Sequence, residues 1–206
     1  MSAMQRAQTE TQAANGALRH LGVPGIADLA TGMDHASREA RVAFGGARDE
    51  CLREADYNFA AAWISPAAAA EQAIGPLKIR YPLPADCIKV RFVQDLDEDE
   101  WAVETAKVTI GGIPVDTLVL VTNSSAPLIC ITRRIEDVRL WDPLFLAAFE
   151  LRLAAKLAAP LSKELGAGAS LDQRAAEKAE RATRVDGREK APSTISRQTS
   201  WVTARR

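Results

Sequence analysis

The stretch PLFLAAFELRLAAKLAAPL, residues 143–161, decides the fold. Its leucine, phenylalanine and alanine side chains repeat with the 3.6-residue period of a helix, and Asp142 followed by Pro143 is a typical helix start. A helix that is apolar around most of its circumference must be covered by other elements. The sequence therefore predicts that this helix, running to about residue 165, is the central packing element. Three charged residues near its middle argue against a membrane span.

The rest of the chain divides by composition. The 206 residues include 26 Lys and Arg against 27 Asp and Glu, and 47% are hydrophobic. These values exclude a disordered chain and a globally basic nucleic-acid binder. Only three of 38 alanines fall within residues 86–140, a stretch that holds 19 Val, Ile and Thr residues. Because alanine favours helices and β-branched residues favour strands, we expect helical outer thirds and a sheet in the middle.

Two helices are predicted before the sheet region. The first spans about residues 9–20 and ends at Gly22, which suits a left-handed C-terminal cap. The second has Asp34 as its N-cap and runs to about residue 55. The adjacent Gly45 and Gly46 weaken this second helix, and we interpret them as a kink or a point of close helix contact.

Four strands are predicted in the middle region, at about residues 88–94, 101–110, 117–122 and 128–133. Residues 123–127 (Asn-Ser-Ser-Ala-Pro) predict a hairpin connection between the last two strands. Residues 118–121 are apolar on both faces, so we expect cover on both sides of that strand.

The predicted fold is α+β. It is an antiparallel helical bundle of about four helices, with an inserted small antiparallel β region and an extended C-terminal arm. Residues 1–80 hold the N-terminal helices and a linker, residues 81–140 the β-rich insertion, residues 141–186 the C-terminal helices, and residues 187–206 the arm. The arm has five basic residues against one acid, and it carries Trp201. It is either a disordered terminus or an arm that orders on a partner.

No motif in the sequence assigns catalytic chemistry. Cys51, Cys87 and Cys130 lack metal-ligand spacing, so we expect them to behave as small buried apolar residues. His20 and His35 lie near helix ends, where histidine usually interacts with the helix dipole. Residues 95–100, the acidic loop, resemble the start of a calcium-binding loop but lack its glycine and its final glutamate, which favours a solvated turn between strands. We therefore assign no catalytic residue, no cofactor and no metal.

Several stretches, in this order, resemble the tail tubular protein A family, the head-to-tail adaptors of short-tailed bacteriophages. They are residues 15–22 (NGALRHLG) followed by Ile26 and Leu29, residues 51–60 (CLREADYNFA), residues 81–90 (YPLPADCIKV) and the long helix at residues 143–161. The family usually has tryptophan where this chain has Tyr57. The resemblance covers most of residues 13 to 165.

The resemblance implies structural work rather than catalysis. Such adaptors form a ring, usually of twelve copies, that joins the portal to the tail nozzle or hub and lets genomic DNA pass through its lumen. The helices form the ring body, the β portion projects toward the tail, and C-terminal segments commonly clasp the portal. The implied location is the virion at the portal vertex, and the host cytoplasm during assembly, with no membrane and no sequence-specific DNA binding.

Three groups of residues are candidates for these contacts. The arm supplies the portal-binding candidates Arg188, Lys190, Arg197, Trp201, Arg205 and Arg206. The mixed-charge faces of the second and last helices, unless they are only solvated surfaces, supply the ring-interface candidates Arg41, Arg48, Glu50, Arg174, Glu177 and Arg181. Because a lumen for DNA should not be basic, the acidic loop is expected to face the channel or the tail through Asp97, Glu98, Asp99 and Glu100.

Two alternatives stay open. One is a head-tail connector of a long-tailed phage or a gene transfer agent, which would share the ring and the arm but bind a different tail protein. The other is a small soluble enzyme whose site cannot be recognised from one sequence, because carboxylate pairs can assemble from distant segments. Neighbouring genes for a portal and a nozzle protein would favour the short-tailed system.

Overall fold

The computed structural model describes residues 3–162 and 166–189 of the chain. Its four helices are α1 (Ala3–His20), α2 (His35–Glu54), α3 (Pro143–Leu161) and α4 (Ala167–Glu189). Its six strands are β1 (Ala61–Ile64), β2 (Ile79–Pro82), β3 (Cys87–Val93), β4 (Trp101–Ile110), β5 (Ile113–Thr122) and β6 (Ile129–Arg133). Single 3₁₀ turns, Asn58–Ala60 and Val138–Leu140, precede β1 and α3.

Helix α3 lies at the centre of the helical part and packs against α1, α2 and α4. Its start is fixed by Asp142, whose carboxylate accepts hydrogen bonds from the Leu144 amide at 2.7 Å and the Phe145 amide at 3.4 Å. These amides have no carbonyl partner within the helix, so the cap satisfies them. The prediction of a central helix is confirmed, although the helix ends at Leu161 rather than near residue 165.

An aromatic cluster fills the core between α2 and α3. The Phe149 ring lies 4.8 Å from the Phe44 ring and 4.9 Å from the Trp141 ring, centroid to centroid. The Phe145 ring meets Tyr57 edge to face at 4.8 Å. Edge-to-face contacts between buried rings add to the free energy gained from burying their area. Tyr57 is fully buried in this cluster.

The turn after α1 has the geometry that its sequence predicts. Gly22 adopts a φ of 66°, the left-handed conformation expected at a helix C-terminus. Asn15 braces the chain that follows, because its side chain donates to the Ile26 carbonyl at 3.0 Å and accepts from the Ile26 amide at 2.7 Å. Asn15, the first residue of that resemblance stretch, therefore holds the loop after α1 in place.

Helix α2 begins where predicted, since Asp34 caps it by accepting a hydrogen bond from the Ser37 amide at 2.9 Å. The helix continues through Gly45 and Gly46. A Cβ atom added at either glycine would meet nothing within 4 Å. The interpretation of these glycines as a point of close helix contact is therefore wrong.

The strands form two three-stranded antiparallel sheets, sheet A with the order β1-β6-β3 and sheet B with the order β2-β5-β4. An apolar core joins the two sheets, and its buried residues are Tyr81, Leu83, Cys87, Val93, Leu120, Ile129 and Ile131. On the opposite face of sheet B, Val119 and Val121 pack with Val108 and Ala73. Strand β5 is thus covered on both faces at residues 119–121, but the expected cover does not extend to Leu118, which is 41% exposed.

The expected helical bundle with a small β insertion is wrong. The chain has an α+β fold in which two complete sheets, joined by a shared apolar core, stand beside the four helices. Two short strands, β1 and β2, were missed because Ala61 and Ala62 have low strand propensity and Pro82 lacks an amide hydrogen. Backbone pairing to β6 and β5 makes strands of them nevertheless.

The predicted hairpin at residues 123–127 is also wrong, because β5 and β6 belong to different sheets. The hairpin joins β4 and β5 instead, and Gly111 and Gly112 form its two-residue turn with φ values of 59° and 84°. Two positive φ values match the right-handed twist of hairpin strands, and glycine adopts them without strain.

Hydrogen bonds and ion pairs join sheet A to the end of α2. Arg91, whose side chain is 2% exposed, donates to the Tyr57 carbonyl at 2.6 Å and to the Thr132 hydroxyl at 2.8 Å. The Arg91 guanidinium also lies 3.7 Å from the Asp56 carboxylate, which pairs with Lys89 at 2.8 Å. This contact, the Arg91 junction, fixes the sheets to the helices.

Candidate interaction surfaces

The ring-interface candidates on α2 are engaged within the chain. Arg41 donates to the Leu29 carbonyl at 2.8 Å and to the Gly32 carbonyl at 2.7 Å, so it braces the loop before α2. Arg48 pairs with Asp49 at 2.8 Å, and its side chain is largely buried. These contacts reduce what either guanidinium could offer a neighbouring copy.

Glu50, the third candidate on α2, lines a crevice between α2, α3 and the start of α4. Its carboxylate pairs with Lys156 at 2.6 Å. Deeper in the same crevice, Arg152 pairs with Glu54 and with Asp172, the latter at 2.6 Å. Burial tends to lower the pKa of Arg152, but the two carboxylates outweigh burial and raise it. Arg152 thus ties three helices together.

This role of Arg152 is not evident from the sequence. Its only signal is that Arg152 is one of three charged residues within a mostly apolar helix. Such a residue needs partners from other elements. Those partners, one on α2 and one on α4, are 98 and 20 residues away in sequence.

The candidates on α4 lie on its exposed face. Leu171, Ala175, Ala179 and Ala182 are the buried residues of this helix. Arg174, Glu177 and Arg181 point away from that apolar stripe and are exposed. The Glu177 carboxylate accepts a 3.4 Å hydrogen bond from Gln173. The structure thus leaves this set of candidates available on the surface and does not bring it together with Arg41 or Arg48.

A partly buried acid and base meet where α1 and α3 pack. Glu150 packs against Gly16, and the carboxylate lies 4.0 Å from His20. Burial raises the pKa of Glu150 and, together with the charges of Arg174 and Arg19, lowers the pKa of His20. Both shifts oppose ion-pair formation, so burial outweighs the attraction between the two groups.

The acidic loop joins β3 of sheet A to β4 of sheet B, and its carboxylates are exposed. Asp97 and Glu100 close the turn, because the Asp97 amide donates to the Glu100 carboxylate at 2.8 Å and the Glu100 amide to the Asp97 carbonyl at 3.1 Å. Glu98 and Asp99 lie at the tip. The expected solvated turn between two strands is confirmed.

Beside this loop, sheet A presents three large apolar side chains, which we call the aromatic face: Trp63, Phe92 and Leu128. They are 53%, 43% and 38% exposed. The two rings meet edge to face at 5.2 Å, and both residues pair in register with the buried Cys130 between them. Leu128 accepts a backbone hydrogen bond at 2.9 Å from Gln94, the residue that precedes the acidic loop. An exposed aromatic pair with an apolar neighbour is typical of an interaction site.

The outer half of the β4–β5 hairpin is a second exposed apolar element. Strand β2 pairs only with residues 119–122 of β5, so β4 and β5 continue beyond it as a two-stranded ribbon. Near the ribbon's tip, Ile113 and Val115 are exposed on one face. Leu118 is exposed on the other face, and Val103 is exposed on that face within the three-stranded sheet.

An open groove of about 640 Å³ lies at the opposite end of sheet A, beside the start of β3 and the end of β6. Its charged walls are largely paired: Asp86 with Arg133, and Arg134 with Asp49 at 2.9 Å. The groove is therefore a polar surface held in shape by ion pairs.

Within residues 3–162 and 166–189, no cluster of His, Cys, Asp and Glu could hold a metal ion. The three cysteines are buried, as expected. Burial raises the pKa of Cys51 to about 12 and that of Cys87 to about 11. No helix in the described part of the chain is long and apolar enough to span a membrane.

The arm candidates fall mostly outside the described residues. Arg188 lies in the last turn of α4, which extends to Glu189 rather than ending near residue 187. Lys190, Arg197, Trp201, Arg205 and Arg206 lie beyond the residues that the structure describes.

No known protein family matches the chain in a comparison with family models. No curated protein matches it either.

Proposed function

We propose that this chain is a virion structural protein, a head-to-tail adaptor whose copies form a ring between the portal and the tail nozzle or hub. Genomic DNA passes through the lumen of that ring. The chain works in the virion at the portal vertex and meets its partners in the host cytoplasm during assembly.

The distribution of exposed apolar side chains carries this proposal. Two groups of them lie on separate elements, Trp63 and Phe92 on sheet A and Ile113 and Val115 on the hairpin, while others such as Met33, Val42, Ile74 and Leu140 are scattered singly. Apolar patches on separate surfaces are typical of a subunit with several partners. A closed ring needs two different faces of each copy, and a portal and a tail need two more.

The positions of the resemblance stretches support the same function. Asn15 clamps the loop after α1, Tyr57 is buried at the start of the Arg91 junction, and Tyr81 is buried in the core between the sheets. Each stretch therefore holds the fold together. A likeness that includes such positions supports a shared architecture.

The α4 face with Arg174, Glu177 and Arg181 is the ring contact that we favour, because its charges are exposed. The α2 residues Arg41 and Arg48 are the weaker candidates, since bonds within the chain occupy them.

The acidic loop is assigned to the tail side rather than the lumen. It adjoins the aromatic face, and exposed Trp63 and Phe92 rings suit a protein contact better than a channel through which duplex DNA must slide.

The arm is proposed to hold the portal. Deleting residues 193–206 should leave the subunit folded, because the described core makes its contacts without them, and should abolish portal binding. The test is a pull-down with the portal protein from the same genome, with far-UV circular dichroism as the folding control. Unchanged portal capture by the truncated chain would refute the assignment.

A further inference from the structure

We infer that the aromatic face, together with the acidic loop, is a docking site for the chain's own C-terminal segment, residues 190–206, in the free subunit. The proposal concerns the protein before it meets any partner. It does not depend on the ring.

The described part of the chain leaves the apolar surface of the aromatic face exposed. On the half of sheet A nearest the helices, Arg91 covers Thr132 and closes the face. On the other half, Trp63, Phe92 and Leu128 remain between 38% and 53% exposed. An occupant with a large apolar side chain would bury all three at once.

The charge of the acidic loop is opposite to the charge of residues 190–206. The acidic loop carries five carboxylates within residues 95–100 and begins directly after the strand end that bears Phe92. Residues 190–206 carry Lys190, Arg197, Arg205 and Arg206 and no acid. Opposite charges around an apolar contact set the orientation of a partner and favour its encounter.

Residues 190–206 contain a large apolar side chain and are long enough to bring it to a distant surface. The segment holds one aromatic residue, Trp201, with basic residues on either side. Trp201 follows Glu189 by 12 residues, which span about 40 Å when extended. A domain of this size has a radius of gyration of about 16 Å, so a segment of about 40 Å is about as long as the domain is wide and can reach surfaces well beyond the end of α4.

If the adaptor function holds, the two roles of the arm compete. An arm that covers the aromatic face is not available to the portal, and portal binding then uncovers the face for the tail partner. Assembly would proceed in the order portal first, tail second.

Photocrosslinking of the full-length chain tests the docking. Trp201 is replaced by the photoreactive p-benzoylphenylalanine, and crosslinks are mapped by mass spectrometry after mixing ¹⁵N-labelled and unlabelled protein. We expect crosslinks to residues 61–64, 91–94 and 128 within one isotopic species. We also expect the yield to fall at least about fivefold between 50 and 500 mM NaCl, because screening weakens the charge contacts.

Matched variants test whether the aromatic face and the acidic loop form the contact with the segment. Phe92→Ser and the pair Glu98→Lys with Asp99→Lys alter exposed positions and should each lower the crosslink yield severalfold. Val42→Ser, at an exposed apolar position on α2, should leave the yield unchanged. Circular dichroism checks that each variant folds.

Three results would overturn the inference: crosslinks to another surface, no intramolecular crosslink at all, or crosslinks only between the two isotopic species. The last result would make a second copy the occupant. Because no portal is present, failure here leaves the adaptor function untouched, and failure to form a ring leaves this contact untouched.

Discussion

Replacing Arg91 with methionine should cost about 3 kcal/mol of unfolding free energy. The guanidinium donates to two buried acceptors, the Tyr57 carbonyl at 2.6 Å and the Thr132 hydroxyl at 2.8 Å. Hydrogen bonds from a charged donor contribute about 1.5–3 kcal/mol each. Methionine fills a similar volume but donates nothing, so both acceptors stay buried without this donor. The loss is held below the full sum because the Tyr57 carbonyl also accepts a hydrogen bond from the Ala60 amide at 3.1 Å.

The matched control is Arg133→Met on the neighbouring strand β6. Arg133 pairs with Asp86, but its side chain is 51% exposed, so this change should cost at most about 1 kcal/mol. Urea unfolding, followed by tryptophan fluorescence and by far-UV circular dichroism, measures both variants. Equal losses in the two variants, or a loss below about 1 kcal/mol for Arg91→Met, would refute the account of the junction. Arg91→Lys should recover only part of the loss, since an ammonium cannot reach both acceptors in the same planar geometry.

Three further outcomes follow from the described contacts. Phe149→Ala removes a fully buried ring that contacts Phe44 and Trp141, and calorimetry or urea unfolding should show a loss of about 3–5 kcal/mol; a loss under about 1 kcal/mol would contradict the central role of α3. Burial raises the pKa of Glu150 above its ordinary 4.5, so the folded state holds that proton more tightly than the unfolded chain does. The contribution of Glu150 to the unfolding free energy should therefore fall as pH rises from 4.5 through its folded-state pKa, and the difference between the wild type and Glu150→Gln in a pH series of urea titrations should show that fall. Finally, the buried thiols of Cys51 and Cys87 should not react with a thiol reagent such as DTNB at pH 8 until urea unfolds the chain, whereas rapid labelling of the native protein would show that they are accessible.

Local sequence signals located most of the helices. Asp34 and Asp142 mark helix starts that need only neighbouring residues, and Gly22 marks an end through its own backbone preference. Strand β4 follows the same logic, because its β-branched residues alone indicate residues 101–110. Features that depend on one segment or one turn are thus readable from the sequence.

The pairing of the strands was not readable in this way. Whether β5 continues into a hairpin with β6 or crosses to another sheet depends on contacts between distant segments. Strand β2 contains a proline and β1 begins with two alanines, so both carry little strand signal. They form because their backbones pair with β5 and β6, and no pattern within β1 or β2 alone predicts that pairing.

The sequence predicts some of the candidate surfaces and not others, for the same reason. The exposed faces of α4 and the acidic loop follow from polar runs in the sequence. Arg152 and the aromatic face do not, because Trp63 and Phe92 are 29 residues apart and become neighbours only through β6. Likewise the sequence indicates that Arg41 and Arg48 are surface charges, although both have partners within the chain.

The most direct test of the adaptor account is a cryo-electron microscopy map of the portal vertex in purified particles. The account predicts a closed ring of identical copies of this chain around the DNA channel, with the α4 faces between neighbours and the acidic loop toward the tail. Absence of the chain from the particle, or its presence as an isolated copy away from the channel, would contradict that account.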